Sequence, residues 1–146
     1  MIEVKIKRLA DVELPVYQTA GAAAMDLVAA ISEPIELAPH TPTMIPSGIA
    51  IELPSRAYVA LLFARSGLGC KYGIALANGV GVIDADYRGE IKVGLINQTN
   101  TPYTVTPGQR IAQLMIAACE TCVWRPVEAL SETERGEKGH GSTGTV

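Results

Sequence analysis

Ile74-Ala-Leu-Ala-Asn78-Gly79-Val-Gly81-Val82-Ile83-Asp84-Ala-Asp86-Tyr87-Arg88-Gly89-Glu90-Ile-Lys92-Val-Gly-Leu-Ile-Asn97 sets a polar, glycine-studded span between two apolar, strand-like runs. Residues 74–78 lead in and residues 90–97 return, which predicts a hairpin with two carboxylates, a tyrosine and an arginine near its tip. Asp84 and Asp86 suit either of two tasks, closing a turn or activating water. Taken alone, the span leaves both open.

Outward from the hairpin, apolar runs stay short and turn signals frequent. Tyr58–Phe63 precedes it; Tyr103-Thr-Val-Thr and Arg110-Ile-Ala-Gln113-Leu-Met-Ile-Ala-Ala come after it, separated by Pro102 and by Pro107-Gly108. Prolines at 34, 39, 42, 46 and 54 exclude a long helix between them. Ile2, Val4 and Ile6 alternate with Glu3, Lys5 and Lys7, the period of a half-buried strand. Ala20–Met25 reads as a tight loop entering a strand at Asp26, whose charge needs partners in such packed surroundings. Short strands without a sustained helical period predict an all-β domain, a distorted jelly roll or barrel, over residues 1–130. Residues 131–146 carry almost no apolar side chains and predict a mobile glycine-rich tail.

Composition excludes several classes of function. With 146 residues the chain suits one domain that buries roughly two-thirds of its unfolded surface. A formal net charge of −3, one Phe and one Trp argue against a nucleic-acid surface, which needs a basic footprint and stacking rings. No apolar run approaches a membrane span. The opening residues alternate instead of forming a basic and then apolar leader, so a cytoplasmic location is expected. Cys70, Cys119 and Cys122 read as reduced packing thiols, because the Cys119-x-x-Cys122 pair has no second pair and His40 and His140 lie far off in sequence.

Ala64-Arg65-Ser66-Gly67-Leu-Gly-Cys-Lys71-Tyr-Gly73 reads as a second glycine-rich loop. Its guanidinium, hydroxyl, ammonium and accessible amides are the donors an oligophosphate needs. It fits neither the P-loop nor the dinucleotide fingerprint, and Ser66 lacks the surroundings of a nucleophile. Gln113 is polar inside an apolar run, so it faces solvent or donates into a site. In the tail, Arg135, Lys138 and His140 among glycines suit a segment that orders over an anionic ligand.

In their order along the chain these segments resemble the homotrimeric dUTPase family, deoxyuridine triphosphate nucleotidohydrolases. The five motifs that carry the resemblance are Ala23-Ala-Met-Asp26-Leu, Arg65-Ser-Gly-Leu-Gly, Gly81-Val-Ile-Asp84-Ala-Asp-Tyr87-Arg-Gly-Glu, Gly108-Gln-Arg-Ile-Ala-Gln113-Leu and Arg135-Gly-Glu-Lys-Gly-His140-Gly-Ser-Thr-Gly. The resemblance implies a β jelly roll, a homotrimer whose active sites draw on three chains, and Mg²⁺-assisted hydrolysis of dUTP to dUMP and pyrophosphate. It also implies the family's role of keeping uracil out of DNA and supplying dUMP for thymidylate synthesis. Mg²⁺ would be held mainly by the triphosphate and water. Asp84 matches the carboxylate that deprotonates the attacking water, and Tyr87 matches the ring that packs under the deoxyribose. Asn78 and the backbone around Val82 and Ile83 match the uracil-pairing groups; Arg65, Ser66, Gly67 and Gln113 match the phosphate-binding ones. Lys92 matches a substrate contact of the return strand, Asp26 an outer-shell carboxylate that orders the site, and Arg135 the tail's γ-phosphate arginine. Asp86 keeps the role of a turn residue.

Two positions depart from the family's usual pattern. Where the tail usually has Gly-Gly-Phe-Gly, this chain has Lys138-Gly139-His140-Gly141, so His140 is expected to be the ring that stacks on uracil. Ala24 stands where the first motif usually has glycine, a change that bears on the local backbone. Two alternatives share the fold. A dCTP deaminase usually shows Arg-Ser-Ser in place of Arg65-Ser66-Gly67 and would release ammonia; a non-catalytic nucleotide sensor would bind dUTP without releasing pyrophosphate.

Overall fold

The structure is a computed structural model that describes residues 1–137 and residue 139. In chain order the elements are β1 (Lys5–Arg8), β2 (Met25–Val28), β3 (Ile35–Leu37), β4 (Thr43–Pro46), β5 (Ile49–Glu52), β6 (Tyr58–Phe63), α1 (Ser66–Tyr72), β7 (Ile74–Leu76), β8 (Gly81–Ile83), β9 (Lys92–Asn97), β10 (Tyr103–Val105) and β11 (Arg110–Ala118). The strands form four antiparallel sheets in the orders β1-β5, β10-β3, β2-β11-β6-β8 and β4-β9-β7. This is the all-β jelly roll expected of the short strands and their turns. No helix among the described residues is long and apolar enough to cross a membrane.

Burial follows the period of the strands. Along β9, Val93, Leu95 and Asn97 point inward while Lys92 points out. Ile45 joins them from β4 of the same sheet, and Leu27, Leu37, Ile49, Ile111 and Val105 close the core from the other sheets. Each such side chain taken from water contributes about 1.5–3 kcal/mol. β1 departs from its predicted half-burial. It pairs with β5 in register from Lys5↔Glu52 to Arg8↔Ile49, yet all four of its residues are exposed in the single chain.

The segment after Arg65 also departs from expectation, since Ser66–Tyr72 is a short helix and not a loop. Two internal glycines disfavour a helix by intrinsic propensity, but Leu68 is buried against the core, and tertiary packing overrides the preference. The helix ends at Gly73, whose φ of 67° closes the last turn in the left-handed region.

Asn97 is the fully buried amide of the core. Its Nδ2 donates to the carbonyls of Leu37 (3.0 Å) and Thr101 (2.8 Å), and its Oδ1 accepts from Thr99 N–H (3.0 Å) and Thr99 Oγ (2.8 Å). The side chain therefore ties β9 to β3 and to the turn before β10. Asn97→Leu should lower the unfolding free energy by about 3 kcal/mol, because it takes the amide donor from the Leu37 carbonyl and the acceptor from Thr99 N–H and leaves the Thr101 carbonyl only its bond from Thr99 Oγ. The measurement is the midpoint of urea denaturation with an unchanged slope.

Candidate active site

Residues 74–97 form a hairpin that divides between two sheets. β7 and β9 pair directly, from Ile74↔Asn97 to Leu76↔Leu95. The predicted hairpin stops there, because β8 leaves its neighbours and pairs with β6 in the other sheet. The chain returns through Ile91, whose N–H donates to Ile49 O (2.9 Å). The Ile91 carbonyl accepts from both the amide and the hydroxyl of buried Ser47.

The tip between β8 and β9 is therefore held at both ends. Tyr87 N–H donates to Asp84 O (3.2 Å), which makes Asp84–Tyr87 a turn with Ala85 and Asp86 at its corner. Asp86 thus occupies the turn position expected of it. Asp84 and Tyr87 are exposed on either side of that corner. They line a cleft of about 270 Å³ together with Val82, Ile83 and Lys92. Met44 and Glu90 also line the cleft, and neither is among the residues expected from sequence. Their signal lay in neighbours brought together by strand pairing: Met44 sits on β4, opposite Gly94 of β9. Asn78 lies outside this lining, exposed in the turn between β7 and β8.

A second group of polar residues gathers where β2, β11 and β6 meet. Register sets Gln113 opposite Asp26 on one side and Phe63 on the other. Asp26, with a side chain only 15% exposed, accepts from Arg65 Nε at 2.8 Å and lies 3.4 Å from Arg110 Nη1. Arg65 also donates from Nη1 to the Arg110 carbonyl (3.4 Å). Gln113 is half-buried and donates to Ala64 O (3.3 Å), so it faces neither open solvent nor an empty core. Ser66 and Gly67 come next, exposed, in the first turn of α1. Arg110 is a charged member of the group to which the sequence alone gives no role. Its position three residues before Gln113, at a β-bulge, is what turns it towards Asp26.

The two groups occupy opposite ends of β6. Gly81 pairs with Leu62 and Ile83 with Ala60, so β8 runs back towards the start of β6, while Arg65 lies just past its end. At about 3.3 Å per residue, Asp84 and Arg65 of one chain stand roughly 15–20 Å apart. Arg135 is exposed beyond the last strand. Lys138 and His140 lie outside the described residues. Among the described residues no group of three or more His, Cys, Asp or Glu side chains is arranged to hold a metal ion. The cleft offers the carboxylates of Asp84 and Glu90, a donor set that fits a cation arriving with its own phosphate and water ligands.

The carboxylate of Asp26 separates two guanidiniums, and Arg65 is the nearer and less exposed of the pair. Asp26→Asn should cost about 2 kcal/mol of stability and Arg110→Gln distinctly less, since charged hydrogen bonds weaken with length and exposure. Urea denaturation of the two variants checks the order.

The sequence profile of the dUTPase family matches residues 10–144. The deoxyuridine 5'-triphosphate nucleotidohydrolase of Orientia tsutsugamushi (strain Ikeda) is 48% identical over 98% of this chain and 99% of its own. That of Neisseria meningitidis serogroup B is 47% identical, over 99% of this chain and 98% of its own. Among solved structures, the Staphylococcus bacteriophage 80alpha dUTPase with dUpNHpp superimposes with a TM-score of 0.84 at 27% identity, covering 99% of each chain. The segments that build the hairpin cleft and the Asp26 cluster all fall within the matched residues, and the chain belongs to the dUTPase family.

Proposed function

We propose that this dUTPase hydrolyses dUTP by water attack on the α-phosphorus, at sites that each combine the hairpin cleft of one chain with the Arg65 cluster of another. The observation that carries this reading is the separation of those two groups along β6. A base that activates water at the α-phosphorus and donors that hold the α–β bridge must lie within a few ångströms of one substrate, and one chain keeps them roughly 15–20 Å apart. A homotrimer with shared sites meets the requirement. Exposed apolar side chains point the same way: Val123, Trp124 and Leu130 are 93, 88 and 87% exposed, and an apolar groove of about 510 Å³ runs beside Ile51, Tyr58, Leu114 and Ile116.

In this reading Asp84 takes the proton of the attacking water. Tyr87 packs under the sugar and leaves no room for a 2′-hydroxyl. Backbone groups at Val82 and Ile83, with Asn78, pair with uracil in a cleft too narrow for a thymine methyl. Lys92 reaches the substrate from β9. Arg65, Ser66, Gly67 and Gln113 hold the phosphates, with Asp26 orienting Arg65. Residues 131–146 close over the site, Arg135 meeting the γ-phosphate and His140 stacking on the base. Mg²⁺, carried by the triphosphate and water, would neutralise phosphate charge. The location is cytoplasmic.

The test is pyrophosphate release from dUTP, dCTP, dTTP and UTP, with ammonia release monitored for dCTP. Turnover should be confined to dUTP, and Asp84→Asn should lower it by roughly 10²-fold or more. Turnover by Asp84→Asn within a few fold of wild type would remove Asp84 from the role of base. Sharing between chains has its own test. Asp84→Asn and Arg65→Gln chains, each nearly inactive, should regain about a quarter of wild-type activity when unfolded together and reassembled in equal amounts, the share of sites with both groups intact under random assembly.

A further inference from the structure

We propose that Arg88 is a positioning residue that locks the Asp84–Tyr87 turn and so holds the water-activating carboxylate and the sugar-reading ring in one fixed relation. The inference rests on the roles proposed above for Asp84 and Tyr87. Arg88 Nη1 donates to Ala85 O at 2.8 Å and to Tyr87 O at 2.9 Å. One terminal guanidinium nitrogen carries two hydrogens, so both bonds form at once. They span the corner of the turn, which is also closed by the 3.2 Å bond from Tyr87 N–H to Asp84 O.

Residues 89 and 90 depend on the same geometry. The Tyr87 ring folds back over Gly89, where an added Cβ would lie 2.6 Å from the ring Cζ, and its hydroxyl donates to Glu90 O (3.0 Å). Glu90 Oε1 in turn accepts from Gly48 N–H (3.0 Å). The ring is thus fixed from Glu90, and Asp84 is fixed from the β8–β6 pairing. The corner between them is half-buried at Ala85 and exposed at Asp86, and water could satisfy its carbonyls but could not hold them together.

A surface ion pair is the competing account of Arg88. Its Nε lies 3.9 Å from Glu52 Oε2, both side chains are about half exposed, and Lys5 sits closer to the same carboxylate at 2.8 Å. Exposed pairs of that length contribute little. Two carbonyl bonds at 2.8 and 2.9 Å outweigh it.

The experiment compares pyrophosphate release from dUTP and UTP by the assembled full chain, wild type against Arg88→Gln, Arg88→Lys and Glu52→Gln, with melting temperatures taken in parallel. Arg88→Gln should lower kcat for dUTP roughly tenfold and reduce the dUTP-over-UTP ratio of kcat/KM, because both groups lose registration. Arg88→Lys should fall between, since an ammonium is a point donor without the planar fork. Glu52→Gln should stay within about twofold of wild type. Should Arg88→Gln fail to fold, Arg88→Lys carries the test. Arginine variants with unchanged kcat and unchanged selectivity would overturn the proposal, as would a Glu52→Gln variant that reproduced their loss. A wild type inert towards dUTP would instead overturn the reading on which the proposal rests.

Discussion

The peptide of Ile91 is the constraint on which the site geometry rests. Its side chain is fully buried, its N–H goes to Ile49, and its carbonyl is shared by the amide and hydroxyl of Ser47. Three backbone-level bonds at one residue end the excursion that began when β8 crossed to β6. Residues 77–90 are therefore suspended between two sheets that the core already holds together. A loop of that length closed on itself would sample many shapes; one anchored midway by β8 and at its end by Ile91 has few left. The cleft inherits its shape from the packing of both sheets, and no single strand carries it.

Much of this was legible in the residues. The strand-like runs 74–78 and 90–97 around a glycine-flanked polar tip pointed to the hairpin, and the place of Asp86 follows from turn chemistry. The switch of β8 to β6 was not legible, because period two tells which face of a strand is buried and says nothing about which neighbour it pairs with. α1 was hidden for a related reason: Gly67 and Gly69 weaken local helix preference, and the deciding contact is Leu68 on a core that only the folded chain assembles. Arg110 was concealed by a bulge in β11, which shifts register between Arg110 and Ala112 and turns a side chain that simple alternation would have placed elsewhere. β1 shows the reverse case. Its pattern demanded a buried face, and the single chain half-buries Val4 just before the strand but leaves Lys5–Arg8 exposed.

Asn97 and Asp26 show two ways of keeping polarity inside a β fold. Asn97 is neutral, fully enclosed and bonded through both its donor and its acceptor, so it serves as a structural joint between β3, β9 and the turn before β10. Asp26 is charged, stays near the surface and is shared by two guanidiniums instead of being matched by one. The first arrangement is closed. The second is incomplete in charge while complete in hydrogen bonds, because among the described residues no buried side-chain polar atom is left without a partner.

That incompleteness reaches beyond the contacts themselves. The chain as a whole is acidic, with a formal net charge of −3, yet the patch around Asp26 carries one positive charge in excess. At physiological ionic strength its field is felt over about 8 Å. On the reading proposed above, a polyphosphate that passes near the patch is drawn to it before any hydrogen bond forms. Added salt then slows capture of the ligand and leaves the subsequent chemistry untouched.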